Sequence, residues 1–423
     1  MQVYGFTEVS IMDRKQIEEY LNRDHLADVK KAAERLRPIL LPTPLMPSTF
    51  FSQEYGCDVY IKPENLQRTG SFKIRGAYNK ISALSKEESA RGIIAASAGN
   101  HAQGCAISAQ MDGVKATIVM PNVTPLLKVE ATKSYGADVV IAGDVFDEAC
   151  DKALQLAAEK GYTFIPPFDD YDVICGQGTI ALEILQELPD ADEILVPIGG
   201  GGLAAGIAMT AKAINPQIKV IGVEPIGAMS MKKSIENGRP CSLETVKTCA
   251  EGVAVRRPGD LTFAFCSQYL DDIITVTEKD IMEAFLLTLE KHKLVAEGAG
   301  VIPLAAVKKR AVAGKKIVCP ISGGNIDMVT ISSIINQGMI SRGRIMCFSV
   351  ELPDKPWQLV KVASLLANHN ANVIELQHNQ FKALDRYSNK VVLEVTVETN
   401  GHAHIQEVLE ALQDEGFAVK RIY

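Results

Sequence analysis

Short apolar runs rich in β-branched residues alternate with segments of helical period along most of the chain. The runs fall at 58–61, 92–97, 116–120, 138–141, 193–198, 219–223 and 316–321. Strands alternating with helices in this way predict an α/β fold built on parallel sheet. From about residue 344 the rhythm changes. Residues 344–351 read as a strand, 357–369 as a helix, 372–378 and 390–397 as strands, 403–413 as a helix and 417–423 as a last strand. That βαββαβ order is the ferredoxin-like unit. Between the two regimes, 336–343 has two glycines and little apolar content. It is predicted to be a linker, giving domains at 1–335 and 344–423.

Composition narrows the class without changing this picture. At about 150 residues per domain, 423 residues make two or three domains, and 47% apolar with 22% charged residues excludes disordered and fibrous chains. The net charge of −7, with no basic stripe, argues against nucleic acid. Two charge-free runs, 93–111 and 194–211, have the length of membrane spans. One carries Ser97, Asn100, His101 and Gln103, and the other Pro197 and four successive glycines, so no membrane span is expected. The nine cysteines are odd in number and form no C-x-x-C pair, which predicts reduced thiols in the cytoplasm. No basic segment followed by an apolar one opens the chain, so no leader is read.

Three glycine-rich polar loops each follow an apolar strand: Ser97-Ala98-Gly99-Asn100-His101, Gly199-Gly200-Gly201-Gly202 and Ser322-Gly323-Gly324-Asn325. Loops leaving the carboxyl ends of parallel strands share a ligand crevice, so the three are expected to converge. The four glycines precede a helix start at Leu203, which makes an anion site suited to phosphate. A rival reading exists. Gly199, Gly201 and Ala204 match the dinucleotide fingerprint, with Glu224 placed for a ribose hydroxyl. Lys73 favours the phosphate reading, because it stands in the first turn of a helix, where its positive charge is unfavourable. Such a position lowers the pKa of an amine and suits it to imine formation.

Taken together, 71–76 (Ser-Phe-Lys-Ile-Arg-Gly), 97–104, 199–203 and 322–325 resemble the serine/threonine dehydratases. These are pyridoxal-phosphate enzymes of the tryptophan synthase β-like fold, with two open parallel α/β subdomains. The resemblance covers about residues 10–335. Residues 344–423 resemble an ACT-type regulatory domain, on the strength of 351–356 (Glu-Leu-Pro-Asp-Lys-Pro) and 371–373 (Ala-Asn-Val).

The resemblance implies a lyase that converts L-threonine to 2-oxobutanoate and ammonia and L-serine to pyruvate, in an allosteric homo-oligomer, a tetramer. It makes Lys73 the residue that holds pyridoxal 5'-phosphate covalently and removes the α-proton. Gly199, Gly200, Gly201, Gly202 and Leu203 would cradle the phosphate, Asn100 would bond the ring's phenolic oxygen, Phe72 would pack on the ring and Ser322 would face its nitrogen. Ser97, Ala98, Gly99 and His101 would bind the substrate carboxylate, although a lone histidine is more often a structural hydrogen-bonder. Related racemases carry a serine, the second acid/base, where this chain has Ala98. Their metal site needs a second acid where this chain has Ser230, so no metal is expected beside Glu224. In the C-terminal domain Asp354, Trp357 and Asn372 are the candidate effector contacts, Trp357 standing where a glycine is usual. His402 and His404, spaced H-x-H, lack further ligands nearby and are assigned to a helix start. An NAD(P)-dependent oxidoreductase, a racemase-like enzyme and a non-catalytic amino-acid sensor are the alternatives.

Overall fold

The computed structural model describes residues 12–379 and 390–423. Within them the chain divides after Ile326 into two units. The strands of the first are β1 (Met46–Pro47), β2 (Asp58–Pro63), β3 (Ile93–Ala96), β4 (Ala116–Met120), β5 (Asp138–Ile141), β6 (Thr163–Phe164), β7 (Glu193–Pro197), β8 (Lys219–Pro225), β9 (Asp272–Val276) and β10 (Lys316–Ile321). They form two sheets, ordered β1-β2-β10-β7-β8-β9 and β5-β4-β3-β6. Every pairing is parallel except β1 with β2. All seven apolar runs are strands. The two-residue strands β1 and β6 are too short to show a period, and β9 is a partly exposed sheet edge.

Strands β3, β4 and β7 are buried along their whole length, as parallel strands covered by helices on both faces must be. The pairing that positions the site is β2 with β10, in register from Asp58 opposite Lys316 to Pro63 opposite Ile321. Parallel pairing brings both carboxyl ends to one edge, so the segments after Pro63 and after Ile321 leave the sheet side by side. They meet again in a bridge between Ser71 and Gly323. Strand β7 neighbours β10, which adds the glycine run to the same edge. The third loop follows β3 in the smaller sheet, so the crevice lies across the ends of two sheets rather than one.

The Lys73–Ile81 helix joins the sheets. Gly104, in the Asn100–Asp112 helix, lies so close that a Cβ there would stand 3.2 Å from the Lys73 carbonyl carbon. On its other side a Cβ at Gly176 would reach 2.4 Å from the Arg75 carbonyl oxygen. The fully buried Arg75 guanidinium is forked onto Glu64 (2.7 and 2.8 Å) and Glu183 (2.6 and 2.9 Å). Charge-assisted bidentate pairs of this kind fix orientation as well as supplying energy, and here they hold the helix two residues beyond Lys73.

The second unit contains the Met328–Ser341 helix, β11 (Ile345–Pro353), the Gln358–Asn368 helix, β12 (Asn372–Asn379), β13 (Lys390–Glu398), the His402–Asp414 helix and β14 (Val419–Arg421). Its antiparallel sheet has the order β12-β13-β11-β14, the ferredoxin-like arrangement expected. The linker expected at 336–343 is different: the Met328–Ser341 helix runs through most of it. Asp327 caps that helix by accepting from the Thr330 N–H at 2.8 Å, and Gly338 is buried inside it. Only Gly343, at φ +65°, acts as a breaker. His402 bonds the Ser341 carbonyl and His404 the His369 carbonyl, so the H-x-H pair serves a helix start. Among the described residues no helix is long and apolar enough to cross a membrane.

Trp357 occupies the N-cap position of the Gln358–Asn368 helix at φ +75°, and the residue is 74% exposed. The left-handed region is costly for a bulky L-residue and free for glycine. Trp357→Gly is therefore expected to stabilise the C-terminal unit by about 0.5–1 kcal/mol, read as a higher urea midpoint. A lower midpoint would show that contacts of the indole outweigh the backbone strain.

Candidate active site

Three helices start at the crevice without a side-chain cap: Lys73–Ile81, Asn100–Asp112 and Gly202–Ile214. Of the other helices some are capped by a side chain, as at Asp24, Ser48, Ser85, Asp170, Thr277 and Asp327, and some are not, as at Pro125, Val145 and Glu297. What sets the three at the crevice apart is that they start together at the ends of the strands. An uncapped helix start leaves its first N–H groups for another acceptor, and the dipole makes an anion the favoured one.

Lys73 is the first residue of its helix and is partly buried. Its Nζ donates to the Pro167 carbonyl at 2.7 Å and stands 5.3 Å from the centre of the Phe72 ring. Burial pushes the amine down to about 8. The Phe72 N–H donates to the Ser322 carbonyl at 3.1 Å, which brings the buried Ser322 to the same place. Ser71 adds a buried hydroxyl without a hydrogen-bond partner.

The glycine run is shaped by its neighbours. A Cβ at Gly200 would stand 2.2 Å from the Phe168 ring, and one at Gly202 2.9 Å from the Phe168 Cβ. Gly201 has φ +100°, and a Cβ at Gly199 would stand 3.0 Å from the Val253 Cα. A side chain would collide at Gly200 and Gly202, be strained at Gly201 and be tightly held at Gly199, so the backbone itself forms the surface. Leu203 follows, buried in the first turn of the Gly202–Ile214 helix.

Residues 166–170, Pro-Pro-Phe-Asp-Asp, carry functions that the sequence reading did not assign. Pro167 holds the Lys73 amine, Phe168 packs on Gly200 and Gly202, and Asp170 caps the Tyr171–Glu187 helix. Asp169 accepts from the N–H groups of Asp260, Leu261 and Thr262, each at 3.0 Å. Thr262 Oγ1 in turn donates to the Gly200 carbonyl at 2.6 Å. The glycine run is thus clamped between Phe168 and a helix start that Asp169 anchors. Two prolines ahead of two acids, following a strand, were the available signal.

In the first loop the Ser97 hydroxyl accepts from the Gly99 N–H at 3.2 Å, across the intervening Ala98. The His101 imidazole is committed elsewhere: it is buried, bonded through Nε2 to the Ile165 carbonyl at 2.9 Å and next to Cys105. Burial and the nearby Lys73 push it down to about 3, so it stays neutral. The ring of His101, expected among the carboxylate-binding residues, is thus committed to Ile165 and Cys105. Asn100 bonds Glu297, a residue the sequence reading missed; its carboxyl is raised to about 7 by burial.

The dinucleotide reading fails on Glu224. Both carboxylate oxygens accept backbone N–H groups, from Met231 and Lys232, each at 2.9 Å. The side chain is buried and unavailable to a ribose. The three effector candidates do not form one cluster within a chain. Strand β11 pairs with β13 from Ile345 opposite Glu398 to Pro353 opposite Lys390, and Asn372 lies opposite Glu398. Asn372 is therefore level with the start of β11, whereas Asp354 and Trp357 follow its end, roughly 25 Å along the strand direction. The cause is the βαβ crossover, which makes β11 and β12 parallel and puts the exit of one and the entry of the other at opposite ends.

The crevice fits pyridoxal phosphate: a lysine amine of lowered pKa, a backbone cradle at an uncapped helix start, an orphaned hydroxyl, and an amide and a serine on the facing loops. Residues 36–323 match the family described as pyridoxal-phosphate dependent enzyme. An L-threonine ammonia-lyase of Thermotoga maritima is 44% identical over 396 residues, 93% of this chain and 98% of that protein. The processed form of threonine deaminase isoform 2 from Solanum lycopersicum superposes with a TM-score of 0.72 at 39% identity, over 77% of this chain and 94% of that one. The serine racemase of Dictyostelium discoideum gives 0.68 at 36% identity, over 72% and 99%. The lysine, the three loops and these matches agree, and the chain belongs to the pyridoxal-phosphate dependent enzymes of the tryptophan synthase β-like fold.

Proposed function

We propose that the protein converts L-threonine to 2-oxobutanoate and ammonia, and L-serine to pyruvate and ammonia. The observation that carries this reading is the Lys73 amine, lowered to about 8 and set among three uncapped helix starts. The ammonia-lyase and deaminase relatives support it. Pyridoxal phosphate, when bound, supplies an electron sink that acidifies the α-proton of an amino acid. Lys73, Phe72, Asn100, the four glycines, Leu203 and Ser322 would hold it. The Lys73 amine, neutral over a wide range above pH 8, then removes the α-proton as general base. The N–H groups at the start of the Asn100–Asp112 helix and the Ser97 hydroxyl hold the substrate carboxylate. Water leaves from the β-carbon, and one water is taken up again as ammonia is released, so the net change is loss of ammonia.

Two residues select among reactions. The Ala98 methyl carries no exchangeable proton, so the α-carbon is not reprotonated from a second side and inversion of the amino acid is disfavoured. The Ser322 hydroxyl cannot hold a proton on the ring nitrogen as a carboxylate would, which favours elimination over transamination. The test is to incubate the holoenzyme with each L-amino acid and measure oxo acid, ammonia and enantiomeric composition. Equal oxo acid and ammonia with little D-serine is expected; D-serine appearing as fast as pyruvate would replace this reading with a racemase.

In the same reading the C-terminal unit binds an amino-acid effector, with isoleucine or valine the first to try, in a cytoplasmic homotetramer. Nine free thiols suit a reducing compartment. An effector held by both Asp354 and Asn372 has to lie between two copies, given their separation in one chain. Added isoleucine should shift the threonine saturation curve and the Trp357 fluorescence together; an unchanged curve with every amino acid tried would make the unit an assembly element.

A further inference from the structure

Asn100 could in principle offer either its carbonyl or its amino group to a ligand. Its neighbours remove the choice, and the order of donors can be followed from a group whose polarity is fixed by covalent structure. The Thr69 backbone carbonyl only accepts, so the Asn325 atom 2.6 Å away is Nδ2. The second hydrogen of that nitrogen goes to Asn100, 2.8 Å away, so the Asn100 atom facing it is Oδ1. Asn100 Nδ2 then faces Glu297 Oε1 at 2.7 Å and gives it one hydrogen. One N–H of Asn100 is left over. Glycines make the chain of bonds sterically possible: a Cβ at Gly323 would stand 2.4 Å from Glu297 Oε1 and 3.0 Å from Asn100 Nδ2, and one at Gly70 2.6 Å from Asn325 Oδ1.

We infer that Thr69, Asn325 and Glu297 form a polarity lock, which obliges Asn100 to present an N–H and never its carbonyl to the anionic ring oxygen of the cofactor. This rests on the functional reading above and adds Asn325 and Glu297 to it as positioning residues. Neither needs to touch the ligand. A ring oxygen that carries negative charge gains a charge-assisted hydrogen bond from an N–H and is repelled by a carbonyl.

The lock is tested by exchanging its donor and acceptor ends. In Asn325→Asp two carboxylates face Asn100, so at alkaline pH, where Glu297 with its raised pKa is ionised, one contact is repulsive whichever way the amide turns. In the double variant Asn325→Asp with Glu297→Gln the carboxylate has moved from one end to the other at constant charge, and Asn100 is satisfied only when reversed. Thermal midpoint, pyridoxal phosphate affinity and the absorption maximum of the bound cofactor are measured for wild type and both variants. The single variant is expected to lose stability and affinity. The double variant should regain part of the lost thermal midpoint, the Thr69 carbonyl still lacking its donor, while binding cofactor at least roughly tenfold more weakly than wild type, with a shifted maximum. Recovery of both properties, of neither, or of affinity alone overturns the lock, as does a single variant indistinguishable from wild type. Wild-type protein that takes up no pyridoxal phosphate would instead overturn the functional reading and the lock with it.

Discussion

Replacing Lys73 by Ala is expected to lower kcat about a thousandfold or more, since it removes both the covalent anchor and the base. The variant should still take up pyridoxal phosphate, because the glycine run, Asn100 and Ser322 remain, but borohydride should no longer fix it to the protein. If borohydride still fixed cofactor, another amine would be the anchor. The pH dependence of uptake by cofactor-free wild type is a second readout. Only the neutral amine attacks a carbonyl, and burial, by lowering the pKa, makes that form available at lower pH. With the amine at about 8, the rate of covalent capture should rise with pH and level off above it. An ordinary lysine would still be rising near pH 10, and at pH 8 would react roughly a hundredfold more slowly. A midpoint above 10 would show that the Lys73 pocket is wetter than its contacts with Phe72 and Pro167 indicate.

The second large effect is expected from Gly200→Ala. A Cβ at this position would lie 2.2 Å from the Phe168 ring, and the Gly200 carbonyl is held by Thr262, so the backbone cannot retreat without breaking that bond. Either the ring or the glycine run has to move, and both border the phosphate cradle. Pyridoxal phosphate should bind at least about a hundredfold more weakly, measured by equilibrium dialysis, with a smaller change in the thermal midpoint of the cofactor-free protein. Pairing Gly200→Ala with Phe168→Ala removes the ring and should restore part of the affinity. A double variant no better than the single one would place the collision elsewhere.

Much of this site was legible because its chemistry sits in short, contiguous segments. Lys73 two residues after Ser71, four successive glycines and the 322–325 loop each announce a strand or turn running into a polar function. The strands were equally legible, since parallel strands buried on both faces are apolar along their whole length. What was not legible depends on partners distant in sequence. Glu297 stands 197 residues from Asn100, and Asp169 some ninety residues from the helix start it anchors; neither carries a local pattern that names its partner. The helix at Met328–Ser341 was missed because Gly338 reads as a breaker and is in fact a packed interior position. The effector residues were grouped by analogy of loop and strand. The crossover that separates Asp354 from Asn372 is a property of strand direction, which residue types alone do not express.

The pairing of β2 with β10 constrains how the protein is made. Asp58–Pro63 leaves the ribosome early, yet its parallel neighbour is Lys316–Ile321, near the end of the first unit. Until that late segment emerges, the larger sheet lacks the strand that joins β2 to β7. The smaller sheet, by contrast, draws all its strands from residues 93–164 and can close while synthesis continues. Nascent chains arrested shortly before residue 316 should therefore protect the smaller sheet from protease and leave β2 exposed, an apolar edge in need of a chaperone until the last strand arrives.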